Sequence, residues 1–236
     1  MHPAESLPSR ILFEDNHFII VNKLPSEIVQ GDKTGDMPLS DLVKAYIKQK
    51  YNKPGDVFLG LAHRIDRPVS GAVIFARTSK GLSRINRMLQ ERSLDKKYLA
   101  VVKNPPPEKK GLLTHYLRKN EKQNKSYVTA HEAPGSKKAE LSYRLLASSD
   151  KYHLLEIELH TGRHHQIRAQ LAAIGCPIKG DLKYGFPRSN VNGSIHLHAH
   201  KLAFQHPVSK AEVSVKAPAP EDPLWDFFKK YFSGSD

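Results

Sequence analysis

The chain has 236 residues, of which 39% are hydrophobic, so it can bury a sizeable core and is compatible with one large domain. Its 37 lysines and arginines oppose 24 acidic residues, and the net charge of +13 predicts a polyanionic partner, with nucleic acid ahead of an acidic membrane or protein. A single cysteine excludes an internal disulfide, and without a signal peptide or an apolar run of membrane-spanning length we expect a cytoplasmic protein that binds no membrane.

The N-terminal third predicts a hairpin, a helix, a strand and a second helix. Residues 11–13 and 18–21 are short apolar runs on either side of a turn sequence, which is typical of a β-hairpin. A helix is predicted from Ser40, which would cap it, because apolar residues then recur at helical spacing. The apolar run 72–76 predicts a buried strand, and a second amphipathic helix is predicted from Ser79.

The middle of the chain predicts strands interrupted by a long irregular segment. Residues 98–102 predict a strand. Residues 103–138 are rich in lysine and in turn-forming residues, so we expect long loops around a short strand or two. Strands resume at 141–145 and at 155–159, where apolar and polar residues alternate strictly.

The C-terminal third predicts a helix from about His164 that Gly175 closes, and strands at 195–199 and 213–215. The tail DPLWDFFKKYF suits a short packing helix. Strands in runs with interspersed helices predict an α+β fold, with a mixed, mainly antiparallel β-sheet flanked by helices and loops.

One charged motif precedes a strand. In LAHRIDRPVSGAVIFA, Asp66 stands between Arg64 and Arg67 just before the apolar run 72–76. A buried charge costs several kcal/mol unless it is paired, so this is either a structural ion pair or a working site. The stretch alone leaves both interpretations open.

Histidines suggest a metal site only weakly. His196, His198 and His200 alternate along a predicted strand, but same-face neighbours lie roughly 6.6–7 Å apart and cannot easily converge on one ion. Histidines that face solvent or RNA are the favoured interpretation. A zinc-dependent hydrolase is the disfavoured one.

The segment TGRHHQIR places Arg163, His164, His165 and Arg168 at a predicted helix start. Cations at the positive end of a helix are unfavourable unless an anion is present, and the anion could be a phosphate or a protein carboxylate. A basic, solvated turn is the alternative.

Tyr98, beside Lys96 and Lys97, fits either a core tyrosine or a platform for base stacking. Phosphate-binding glycine loops and a GxSxG elbow are absent, so NTPase, dinucleotide-binding and serine hydrolase functions lack support.

Five blocks of the sequence, in order, resemble RluA-type pseudouridine synthases. HRIDRPVSG resembles the HRLDxxTSG motif of that family, and TGRHHQIR resembles its TGRTHQIR motif. The blocks are ILFEDNHFIIVNKLPSEIVQGD (11–32), HRIDRPVSG (63–71), KKYLAVV (96–102), LHTGRHHQIRAQLAAIGCPIKGDLKYG (159–185) and LHAHKLAFQHP (197–207). The resemblance implies the pseudouridine synthase fold as one catalytic domain over 1–236, with its core at about 11–217 and no separate N-terminal RNA-binding domain.

The resemblance implies an isomerase that converts specific uridines of ribosomal or transfer RNA to pseudouridine, without cofactor or metal. Asp66 aligns with the catalytic aspartate, Arg168 with the arginine that pairs with it, and Tyr98 with the active-site tyrosine. Arg64 aligns with the arginine associated with flipping the target nucleotide. We expect RNA contacts from further basic residues: Arg67, Lys97, Arg163 and His165. We expect a monomer that needs no protein partner.

Three positions depart from the family pattern. Pro68-Val69 replaces a polar-Thr pair, Glu27 replaces a glycine, and His164 replaces a threonine. None removes Asp66 or Tyr98. The alternative function is a non-catalytic RNA-binding protein or RNA chaperone that keeps the fold, which would be indifferent to loss of Asp66.

Overall fold

The structure, a computed structural model, describes residues 7–129 and 131–233. The fold is α+β, with four α-helices in those ranges and with strands that pair mostly in antiparallel fashion. The strands are β1 (Ile11–Glu14), β2 (Phe18–Lys23), β3 (Gly60–Leu61), β4 (Ser70–Ala76), β5 (Asp95–Val102), β6 (Lys110–Asn120), β7 (Lys125–Thr129), β8 (Ser136–Ser148), β9 (His153–Leu159), β10 (Leu197–Gln205) and β11 (Glu212–Lys216). The helices are α1 (Leu39–Lys50), α2 (Ser79–Gln90), α3 (Gln166–Ala173) and α4 (Pro223–Phe228). None of these four is long and apolar enough to cross a membrane.

The chain forms two compact units. The first runs to Asp95 and adds Ala199–Pro218. Its strands lie in the order β1-β2-β4-β10, with β3 beside β4 and β11 beside β10. Apolar side chains from these strands and from α2 form its core, including Phe18, Ile74 and Ile85.

The second unit comprises Lys96–His198 and the chain from Ala219. Its strands lie in the order β5-β9-β8-β6-β7. Helix α3 packs on one face of this sheet, where Ala169 joins Leu117 and Ala139 in an apolar cluster. Helix α4 packs on the other face, against Leu99 and Val101. The two helices cover different ends of the sheet, because Leu99 lies on β5 and Leu117 on β6.

The sequence predicts most elements correctly and one segment wrongly. The hairpin, the strand at 72–76, the helix from Ser79 and the helix closed by Gly175 are confirmed. The prediction of long loops over 103–138 is wrong, because β6 and β7 fill most of it and β8 begins at Ser136. Four lysines on these strands are exposed, namely Lys110, Lys119, Lys137 and Lys138, so this part of the sequence resembles a loop in composition.

Both wrongly predicted helix starts have local causes. Helix α1 begins at Leu39 after Pro38 and not at a Ser40 cap. The amides of Leu39 and Ser40 donate instead to the carbonyls of Ile28 and Val29, so no capping side chain is needed. Helix α3 begins at Gln166 and not at His164, since His165 has a φ of 53° and leaves the helical region.

Two of the strand histidines are buried. His196 and His198 are 2% and 0% exposed and contact the ring of Trp225, so the prediction that they face solvent or RNA is wrong. His196 Nε2 lies 2.9 Å from the carboxylate of Asp222, which caps α4. Residues 7–129 and 131–233 contain no group of three or more side chains that could hold a metal ion.

Candidate active site

Asp66 lies in a tight turn that enters β4. The amide of Val69 donates to the Asp66 carbonyl at 3.0 Å, which closes the turn. The Asp66 side chain is partly buried, whereas the side chains of Arg64 and Arg67 on either side are exposed. The motif therefore places a partly buried aspartate between two exposed arginines.

A fully buried lysine holds this turn. Lys23 Nζ donates to the carbonyls of Arg67, Leu24 and Glu27 at 3.0, 2.9 and 2.8 Å. The amide of Ser26 also donates to the Arg67 carbonyl. Burial lowers the pKa of Lys23 to about 7, while the charges of Glu27 and Asp66 act in the opposite direction. The end of β2 thus fixes the backbone next to Asp66.

Glu27, a departure from the family pattern, has a structural role. Arg10 Nη1 lies 2.8 and 2.9 Å from the two Glu27 carboxylate oxygens, and Arg10 is only 4% exposed. One of those oxygens also accepts the Leu24 amide at 2.9 Å. The family has a glycine at this position. Here the Glu27 carboxylate fixes the turn around Lys23 by pairing with Arg10 and accepting the Leu24 amide.

The two exposed arginines beside Asp66 differ in how firmly they are held. Arg64 makes one long hydrogen bond, from Nη1 to Gln30 Oε1 at 3.4 Å. Arg67 Nη2 lies 2.5 Å from Asp36 Oδ2, in a pair whose side chains are 45% and 52% exposed. A pair this exposed contributes little to stability, so both guanidinium groups are available to an anion in solution.

In the second unit, β5 separates the side chains of the KKY motif. Alternation puts Lys96 and Tyr98 on one face of the sheet and Lys97 on the other. Tyr98 is 8% exposed, and burial lowers the pKa of Lys96. Lys97 Nζ lies 3.9 Å from Glu156 Oε1. The lysine that shares a face with Tyr98 is therefore Lys96, which the sequence analysis did not select.

Arg168 is held by a buried carboxylate. Its Nε and Nη2 donate to the two oxygens of Asp181 at 2.7 and 2.8 Å. The side chains are 6% and 1% exposed. This bidentate pair fixes the plane of the guanidinium group in the first turn of α3. It also shows that one anion at the predicted basic helix start is a protein carboxylate.

Tyr184 joins α3 to the β6–β7 hairpin. The Arg168 guanidinium carbon lies 5.1 Å from the centre of the Tyr184 ring, a cation–π distance. The Tyr184 hydroxyl lies 2.9 Å from His165 Nδ1 and from the amide nitrogen of Ser126. His165 is 8% exposed and its ring stacks on His164 at 3.8 Å.

Asp181 and Tyr184 are not among the site residues predicted from the sequence. Both belong to GDLKYG in the fourth block that resembles the family, so that block could have identified them as candidates. Their partner, Arg168, is more than ten residues away in sequence, and no spacing rule connects them.

The predicted RNA-binding residues differ in accessibility. Arg64, Arg67 and Arg163 are exposed. His165 is buried, and Lys97 lies beside a glutamate. In chemical terms, the chain offers a carboxylate on a rigid turn, a tyrosine on a buried strand and a fixed arginine, together with exposed arginines that suit phosphate groups.

Comparison with known proteins identifies the family. Residues 17–173 match the family model described as RNA pseudouridylate synthase. The uncharacterized RNA pseudouridine synthase YhcT of Bacillus subtilis is 32% identical over 94% of this chain and 72% of its own length. Ribosomal large subunit pseudouridine synthase D of Nitrosomonas europaea is 31% identical over 94% of this chain and 65% of its own length.

A solved structure shows the same fold. Human RNA Pseudouridylate Synthase Domain Containing 4 superimposes with a TM-score of 0.78 at 22% identity, over 92% of this chain and 91% of that one. The range matched by the family model includes both the HRIDRPVSG and the TGRHHQIR segments. The chain belongs to the RluA-type RNA pseudouridine synthases, which are isomerases.

Proposed function

We propose that this protein isomerises specific uridines of ribosomal or transfer RNA, with Asp66 as the catalytic nucleophile or base. In the reaction the bond from uracil N1 to ribose C1′ breaks and a bond from C5 to C1′ forms. The C5 proton leaves to solvent, and N1 takes up a proton. The balance needs no oxidant, reductant or cofactor, and the two compact units would act as one catalytic domain.

The observation that carries this proposal is the rigid placement of Asp66. Lys23 and Ser26 hold the Arg67 carbonyl, so the residue next to the carboxylate cannot drift. A catalytic carboxylate must keep its geometry through bond breakage and rotation of the base, and preorganisation of this kind supports that task.

Arg168 and Tyr98 would complete the catalytic group. We propose that the positive charge of Arg168 favours the ionised form of Asp66 during catalysis, while Asp181 fixes the guanidinium plane. Tyr98 would contact the extruded uracil. Arg64 would fill the space that the flipped nucleotide leaves, at an unstacking cost of a few kcal/mol.

Basic side chains would hold the RNA backbone. Arg67 and Arg163 suit this role because they are exposed. We expect smaller contributions from Lys97 and His165, given the glutamate beside Lys97 and the burial of His165. We also propose that the protein works in the cytoplasm, where ribosomal and transfer RNA are found. We propose further that it works as a monomer.

A tritium-release assay tests the chemistry. RNA that carries tritium at uracil C5 releases it when the new carbon–carbon bond forms. Asp66→Asn should abolish release, whereas Asp36→Asn, which removes an exposed carboxylate from the pair with Arg67, should leave the maximal rate close to that of the parent. Release by Asp66→Asn at the parent rate would contradict the catalytic role. Binding without release by the parent on total cellular RNA would favour the alternative of a non-catalytic RNA-binding protein.

The target is found by a separate experiment. Pseudouridines are mapped in total RNA from cells with and without the gene. A site that disappears from ribosomal or transfer RNA, and that returns with the parent gene but not with Asp66→Asn, identifies the uridine.

A further inference from the structure

The strands that replace the predicted loops carry a large share of the positive charge. Residues 103–138 contain nine lysines and arginines against three glutamates, a net +6 of the chain's +13. Because β6, β7 and the start of β8 are paired strands, many of these charges lie on a regular surface.

One face of this end of the sheet is packed and the other is open. Leu117 and Ala139 lie on the face that α3 covers. On the opposite face, Arg118 of β6 stands directly beside Tyr127 of β7. Arg118 is exposed and Tyr127 is 40% exposed. We call the open side the outer face and define it by the same-side residues Tyr116, Arg118, Tyr127, Ser136 and Lys138.

Two cations on and beside the outer face lack carboxylate partners. Among the residues that the structure describes, the side chains of Arg118 on β6 and Lys122 in the turn before β7 make neither an ion pair nor a hydrogen bond. Lys138 on the outer face is paired, since its Nζ lies 3.0 Å from Glu140. An unpaired cation beside an exposed aromatic ring, with a second cation in the adjoining turn, matches the composition of sites that bind single-stranded nucleic acid.

A residue already proposed to bind RNA borders the outer face. Arg163 Nε donates to the carbonyl of Lys138 at 2.9 Å. This bond places the exposed guanidinium group of Arg163 beside the edge of the outer face. A nucleic-acid strand bound by Arg163 would therefore lie next to β8, one of the strands that form the outer face.

We propose that the outer face docks a single-stranded segment of the RNA substrate, with one base stacked on Tyr127 and phosphates bound by Arg118 and Lys122. A single strand fits better than a duplex, because only an unpaired base presents its ring face to a tyrosine. The proposal rests on the proposed function in that the ligand is the RNA substrate.

The charge contribution is tested by two matched double variants. One combines Arg118→Ala and Lys122→Ala, and the control combines Lys48→Ala and Arg84→Ala, two exposed cations of the first unit. Both lower the net charge from +13 to +11. Binding of a fluorescent, unstructured 20-mer RNA is measured at several salt concentrations. The outer-face variant should bind more weakly, and its plot of log Kd against log salt should lose about 1.4 units of slope, at ~0.7 for each phosphate contact.

The stacking contribution is tested by Tyr127→Ala. Loss of one stacked base should weaken binding of the single strand by roughly 5- to 150-fold. The same RNA annealed to its complement should bind parent and variant alike. Tyr127→Phe keeps the ring and should bind as the parent does.

Two results would overturn the proposal: equal affinity and salt slope for both double variants, or no loss of single-strand affinity in Tyr127→Ala. These outcomes are distinguishable from failure of the proposed function. A parent that binds RNA through the outer face but releases no tritium would refute the catalytic proposal alone. Full tritium release by a protein whose outer-face variants bind normally would refute the docking proposal alone.

Discussion

Removing the carboxylate that holds Arg168 should strongly destabilise the protein. Asp181→Asn leaves the shape of the side chain nearly unchanged but takes the negative charge from a pair with two bonds of 2.7 and 2.8 Å. With exposures of 6% and 1%, neither group can recover its hydration. Breaking such a buried pair on one side costs about 3–5 kcal/mol, because the guanidinium group stays buried after it has lost the negative charge of Asp181. At about 2–4 °C per kcal/mol for a chain of this size, the melting temperature should fall by roughly 6–20 °C.

Thermal unfolding of parent and variant by circular dichroism measures this change. A matched double variant, Asp181→Asn with Arg168→Met, removes both charges and should be less destabilised than Asp181→Asn alone. A fall of less than 2 °C in Asp181→Asn, or a double variant that melts lower than the single one, would refute the reasoning that the lost charge of Asp181 beside a buried guanidinium group lowers the stability.

Three further predictions concern other parts of the chain. Gly71→Ala should unfold the protein or cost more than about 3 kcal/mol in urea titration, because a Cβ there would lie 2.3 Å from the Ala199 carbonyl oxygen at a φ of +117°. Gly135→Ala, at a φ of +77° in open space, should cost only about 1–2 kcal/mol, and equal losses would contradict the steric argument. Because burial lowers the pKa of Lys23 to about 7, below its unfolded value, the unfolded state binds more protons between pH 7 and 10. The free energy of unfolding of the parent should therefore rise with pH relative to that of Lys23→Met, and a difference independent of pH would count against it. Burial also lowers the pKa of His196, so stability should fall as pH drops below about 6.5, and His196→Gln should flatten this part of the pH curve measured by urea unfolding.

The sequence predicts those elements whose residues interact locally. The apolar run 72–76 becomes β4, every residue of which is buried. The wrong prediction over 103–138 has a physical cause: one face of those strands meets solvent, and exposed strand positions can hold lysine as readily as loops do. When few apolar residues alternate along a segment, composition alone cannot distinguish a strand with one solvent-exposed face from a loop.

The candidate site shows the same limit. The position of Asp66 on a turn next to two arginines follows from its motif. The packing of distant segments decides which carbonyls accept hydrogen bonds from Lys23. It also decides that Asp181 pairs with Arg168. Local patterns specify such residue types without specifying their partners.

The bonds of Tyr184 restrict where the β6–β7 hairpin can change length. The Tyr184 hydroxyl accepts a hydrogen bond from the amide of Ser126, the second residue of β7, and donates one to the Ser126 carbonyl. Adding one residue within β7 would shift the register, exchange Ser126 and Tyr127 between the two faces and break both bonds. Insertions or deletions should therefore be tolerated only in the turn 121–124, where relatives can vary the reach of the hairpin while the helix that carries Arg168 keeps its place.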